Sequence, residues 1–333
     1  VWAERALALA ERLDSDEDFL NALGARSYSL FHVGRHQEAV LLAEGALAIA
    51  LASDSLRSQL QVSMALSLYC LPDDVRRSYV ASRETAELGR RAGARAFEQT
   101  ATLNAIEDGI WLGLWVECEE MIADVRSKVL PDNEHWVDML ECMLAAWRGD
   151  LVRGRELLQK ARSAPNWGEH VASQTTGLTA ESLFSYFNGD FAESLGFAER
   201  AVELDPTGIN VTSAIARAVR AAAWMRDLEG LSRALAATAP LRGRFIAALR
   251  LETRAAIAGL EGRADESGEL FDSAVEAWRL VESMLDVATT EMEALHVLGP
   301  GHPTAVMAKE AEDLFTEYGV AVLLERLRED LAR

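Results

Sequence analysis

The sequence predicts an all-α fold, a continuous solenoid of helical hairpins running through 333 residues. Three observations predict it. First, small or helix-breaking residues stand at Gly34, Pro72, Gly113, Gly149, Gly189, Arg226, Gly262 and Gly299, between 36 and 41 residues apart. An antiparallel helix pair needs such a residue where one helix stops and its neighbour begins. Second, small residues recur at fixed offsets from these turns. Five positions after the turn come Ala39, Cys118, Gly154, Ser194 and Ser267. Twelve after it come Ala46, Val125, Ala161, Ala201 and Ala274, and seven before it Ser27, Ala65, Cys142, Ser182 and Ala255, with Ile106 and Val219 as exceptions. Close approach of paired helices calls for this pattern. Third, apolar residues recur at helical spacing, and alternating runs of Val, Ile and Thr are missing.

The chain opens with VWAERALALAERL, an amphipathic stretch that reads as a second helix without its partner, so residues 1–15 are expected to be half of a truncated repeat and the chain part of a longer polypeptide. Asp16-Glu17-Asp18 marks the next helix start, because carboxylates favour the positive end of the helix dipole. Glu117-Cys118-Glu119-Glu120 reads the same way. Residues 16–282 carry the repeats. Their second helices are GRHQEAVLLAEGAL from Gly34, GDLVRGRELLQKA from Gly149, GDFAESLGFAERAVELDP from Gly189 and GRADESGELFDSAVEAW from Gly262. Asp205-Pro206 closes one of them, since proline cannot continue a helix. Pro72 and Arg226 are placed as turns by spacing alone. Residues 283–333 form a last hairpin and a capping helix. No linker rich in Gly, Ser or Pro divides the array, and a hinge is expected only at Ser163–Gly168 or Leu298–Pro303.

These second-helix segments resemble the tetratricopeptide repeat family, most strongly from Gly189 to Pro206. The resemblance implies a right-handed superhelical solenoid of about seven to eight hairpins whose first helices line a concave groove. The period here runs about three residues longer than the family's 34.

Composition bounds the function. A formal charge of −20 repels nucleic acid and anionic membrane surfaces. No apolar run reaches the roughly 18 to 20 residues that span a bilayer, and no leader sequence is present, which predicts a cytoplasmic chain. Cys70, Cys118 and Cys142 lack CxxC spacing and are expected to be small buried hydrophobes. Nucleotide-binding loops, HExxH and GxSxG do not occur, so no catalytic residue, cofactor or metal is expected. The histidines, including His32 and His36 on either side of Gly34 and His296 and His302 around the Gly299 turn, are read as structural.

One constellation stands out. Two residues before the turns come His32, Cys70, Trp111, Trp147, Phe187, Trp224 and Leu260. Trp136, Met139, Met143 and Trp147 share one helical stripe, Tyr186 extends the row, and Glu107 and Arg220 add charge. The resemblance places these residues in the concave groove, where Trp and Met form an adaptable surface for a protein segment. The competing reading is that the rings fill the interior.

From Leu285 the tail is similar to that of bacterial signalling proteins joining a nucleotide cyclase, an AAA-like or STAND ATPase and a tetratricopeptide array. All but three of the 33 basic residues are arginine, the bias of a GC-rich bacterial genome. The resemblance implies a non-catalytic interaction and regulatory region of an ATP-dependent signalling protein, whose partner is a protein segment or its own upstream ATPase domain. The alternative is a sensor array of a LuxR-type STAND transcription regulator, holding a small effector in the aromatic groove.

Overall fold

The computed structural model describes residues 2–53, 55–165, 167 and 170–333. Eighteen α-helices follow one another and no strand occurs among the described residues. They are α1 (Trp2–Leu13), α2 (Asp16–His32), α3 (His36–Ala52), α4 (Leu56–Cys70), α5 (Val75–Arg91), α6 (Arg95–Trp111), α7 (Trp115–Arg126), α8 (Glu134–Trp147) and α9 (Leu151–Arg162). After them come α10 (Val171–Asn188), α11 (Phe191–Leu204), α12 (Val211–Met225), α13 (Leu228–Ala237), α14 (Arg244–Leu260), α15 (Ala264–Leu280), α16 (Met284–Leu298), α17 (Ala308–Tyr318) and α18 (Ala321–Leu331).

All eight expected turns fall between consecutive helices. The glycines at 34, 113, 149, 189, 262 and 299 take positive φ between 76° and 87°, the left-handed conformation that releases the chain from a helix at least cost. Arg226 takes the same conformation without being glycine, at φ 56°. Pro72 uses another device: the chain turns without a left-handed residue, and Asp74 then caps α5 by accepting from the Arg77 amide at 2.9 Å. The acidic starts behave as read. Ser15 accepts from the Asp18 amide at the N-cap of α2, and Glu117 lies in the first turn of α7. Of the expected hinge at Ser163–Gly168, Asn166 and Gly168 lie outside the described residues.

The small residues at offsets of seven before and five after the turn meet each other. Ser27 Oγ donates to the Ala39 carbonyl at 2.8 Å, Ser182 and Ser194 each donate to the other's carbonyl at 2.8 Å, and Ser267 Oγ donates to the Ala255 carbonyl at 2.7 Å. Cys118 Sγ reaches the Ile106 carbonyl at 3.5 Å. The periodic small residues therefore let paired helices touch backbone to side chain, with net gains of about 1 kcal/mol per buried hydrogen bond. All three cysteines are free and buried, and burial pushes their thiols up to about 11 or 12.

Long-range contacts join the turns of early hairpins to later segments. Thr207 Oγ1 donates to the His32 carbonyl at 2.6 Å, Arg244 pairs with Asp73 and Asp74, and Arg76 lies 2.7 Å from Glu282. The C-terminal helices are drawn in as well. Leu285, Met292, Phe315, Leu323 and Leu327 share one core with Ile106, Met143, Trp147, Leu183 and Phe187. No helix is long and apolar enough to cross a membrane among the described residues.

Candidate functional site: an arginine and aromatic interior

The structure buries the first helices α8, α10, α12 and α16 on nearly every side, polar residues of α10 and α16 included. This sets the fate of the aromatic row. Met139, Met143, Trp147, Tyr186, Phe187 and Arg220 are fully buried, Glu107 is buried, and Trp111, Trp136 and Trp224 are half-buried. These ten residues do not line an open groove in this structure: seven are buried and three half-buried, and Trp147, Tyr186 and Phe187 share a core with Phe315, Leu323 and Leu327 of the C-terminal helices.

The C-terminal segment meets the turns from two helices, Tyr318 at the end of α17 and Val322 and Arg326 on α18, with the left-handed Gly319 between them. Tyr318, Val322 and Arg326, spaced four residues apart, stand against the turn glycines Gly113, Gly149 and Gly189 of three successive hairpins. Tyr318 also meets Trp115 at 6.0 Å between ring centroids. Arg326 Nη2 donates to the Phe187 carbonyl at 2.6 Å, and its guanidinium lies 5.1 to 5.9 Å from the rings of Phe191, Tyr186 and Trp224.

The rings are linked in sequence. Trp147 meets Phe187 edge to face at 4.9 Å, Tyr186 meets Phe191 at 5.5 Å, Phe191 stacks on Trp224 at 5.4 Å, and Trp224 stacks on His296 at 4.0 Å. His296 Nδ1 lies 2.9 Å from Asp330 Oδ2, which ties α16 to α18. His32 and His36 both pack on Phe31, a structural role.

Two arginines on α12 carry the charge of the interior. Arg220, fully buried, sits among Glu252 at 3.2 Å, Asp286, and Glu293 at 3.8 Å. Burial alone would lower its pKa, but these carboxylates raise it overall. Glu252 also accepts from Trp278 Nε1 at 2.8 Å and Thr290 Oγ1 at 3.1 Å. Burial drives the Glu293 carboxyl well up, and the adjacent Glu252 charge adds to it.

Arg217, one helical turn earlier, is 2% exposed and differs in kind. Its Nε and Nη1 are buried without a hydrogen-bond partner, and no carboxylate stands within ion-pair distance among the described residues. Instead its guanidinium lies 5.5 to 5.8 Å from the ring centres of Trp111, Trp147 and Tyr186. Burial first, then the neighbouring Arg220 charge, lowers its pKa to about 10. At neutral pH it is a caged cation held by π faces, an interaction of roughly 2 kcal/mol per ring when desolvated.

No family model matches the chain, and no curated protein matches it. The structure brings Trp111, Trp147 and Tyr186 together around Arg217, and carries Phe187 and Trp224 to Arg326. The sequence reading missed Arg217, Arg326, Glu252, Asp286 and Glu293. One signal was in the text: Arg217 and Arg220 interrupt the alanine-rich AIARAVRAAAW, where charges three apart on an apolar helix must find partners inside.

Proposed function

We propose that this chain is a right-handed superhelical array of tetratricopeptide type, acting without catalysis as the interaction and regulatory region of a larger ATP-dependent bacterial signalling protein. Its partner is a helical protein segment, supplied by another protein or by its own ATPase domain. The observation that carries the reading is the seat of the C-terminal segment, where Tyr318 at the end of α17 and Val322 and Arg326 on α18 stand against three consecutive turn glycines. Val322 and Arg326 share one face of α18 at i, i+4, so the ridge of turns receives a helix by that face. In this arrangement the ridge is already occupied, so a partner competes with the chain's own helix.

The test uses a fluorescent peptide copied from residues 308–333, with anisotropy as the readout. Arg326→Ala in the full chain weakens the internal seat and admits the peptide at micromolar concentration, whereas the parent chain binds it more weakly. Absence of binding to either chain sinks the reading.

A second reading, an effector sensor, is favoured by Arg217 alone: a caged guanidinium with unspent donors belongs to a site for a small molecule.

A further inference from the structure

A cavity of about 30 Å³ adjoins Arg217. It lies where the turn between α4 and α5, the end of α6, the loop before α12 and the start of α16 converge. Its mouth is edged by the half-buried Leu71, Ile209 and Ser213. An ordered water needs roughly 10 to 15 Å³ by this measure, so the space takes two or three water-sized groups, room for a small carboxylate such as acetate.

The chemistry of the wall is unevenly spent. Asn210 Nδ2 donates to Thr176 Oγ1 at 2.7 Å and Ser213 Oγ to the Asn210 carbonyl at 3.0 Å. Asp286 is held by Arg220 and by Ser283. What remains is the Arg217 guanidinium, buried and unpaired. A planar fork of N–H donors in a low-dielectric site matches a carboxylate with two parallel hydrogen bonds. Apart from Thr212 and Glu107, the rest of the wall is apolar, from Leu71, Val75, Trp111, Ile209, Ala216 and Phe245.

We propose that this cavity binds a short-chain monocarboxylate, its head on the Arg217 guanidinium and its alkyl end against Val75, Ile209 and Phe245. The proposal rests on the sensor reading and names its ligand class. Glu107, the other carboxyl on the wall, does not oppose an anion below neutral pH, because burial raises it to about 7. The charged groups around it are Asp108 on its own helix, which accepts from Ser78 and Ser82, and Arg217 and Asp286 on the facing helices.

The experiment is a titration of the full chain at pH 6 with formate, acetate and propionate, followed by tryptophan emission and thermal shift, with chloride, inorganic phosphate and neutral sugars as counter-probes. Trp111 lines the cavity and reports its filling. Acetate or propionate is expected to change the emission saturably and to raise the melting temperature, as a ligand of the folded state must. Arg217→Lys keeps the charge and loses the fork, weakening binding roughly tenfold or more. Ala216→Val keeps Arg217 and fills the space, and it abolishes the response while circular dichroism stays that of the parent. An equal response to chloride or phosphate overturns the proposal, as does binding that survives Ala216→Val. A response to sugars alone overturns it and leaves the sensor reading standing. Silence to every probe overturns both.

Discussion

Arg326 donates to the carbonyl oxygen of Phe187 at 2.6 Å across 139 positions of sequence, closing the last turn of α10 with a cation from α18. The last carbonyls of a helix have no partner within it and carry the negative end of its dipole, so an arginine there satisfies both. The glycine that ends the helix is called for by its φ of 87°, and a Cβ there would meet Arg326 Nη2 only at an ordinary contact distance of 3.8 Å. One side chain thus fixes the C-terminal helix to the aromatic row.

Arg326→Ala should lower stability by about 1 to 3 kcal/mol, the range for a hydrogen bond from a charged group with π contacts added. Chemical denaturation checks it. Hydrogen exchange should localise the loosening to residues 308–331, and a uniform change along the chain contradicts the latch.

Trp147→Ala should cost about 3 to 5 kcal/mol, because the ring is 1% exposed and touches Phe187 and Trp115. Trp111→Ala, at a half-buried ring, should cost less. Equal and small losses at both positions mean that the row is not interior in solution.

Gly113→Ala and Gly262→Ala separate backbone strain from crowding. Both glycines have positive φ, at 76° and 83°, but a Cβ on Gly113 would run into the Tyr318 ring while one on Gly262 meets nothing within 4 Å. The second change should cost about 1 to 2 kcal/mol, and the first clearly more. Tyr318→Ala in the Gly113→Ala background should recover the difference in thermal melts.

Glu107→Gln should change the pH dependence of stability. The folded carboxyl titrates near 7 and the unfolded one near its ordinary 4.5. A raised folded value means stability is full below pH 4.5, falls as pH rises through 7, and then levels. The substitution removes this loss, on the order of 3 kcal/mol. The variant and the parent should therefore match at pH 4.5 and diverge at pH 8, with the variant the more stable. A parallel pair of curves would falsify the assignment.

Ser182→Ala and Ser194→Ala should each cost about 1 kcal/mol, and the double variant less than the sum. Each hydroxyl donates to the other residue's carbonyl, so removing both retires the pair together.

Much of the local architecture was legible. The turn glycines announce themselves because a left-handed backbone position excludes most other residues, and the small residues at fixed offsets because paired helices that approach closely leave no room for larger ones. Even Arg226, a left-handed arginine, was found by spacing. The C-terminal tail was legible as helices but its seat against the turns was not, since Tyr318 on α17 and Val322 and Arg326 on α18 look like ordinary amphipathic positions until their partners are known.

By itself the sequence determined the helical state of the chain, its hairpin period and the positions of its turns, all of which follow from contacts within about forty residues. Only the tertiary structure decided whether the aromatic row is a groove or an interior. That depends on Arg326 meeting Phe187 and on Arg217 on α12 meeting Trp111 on α6, pairs whose separation along the chain leaves no periodic trace. Charge was the deciding factor. A guanidinium can leave water only where carboxylates, carbonyls or π faces replace it, and those partners come from helices that only folding brings together.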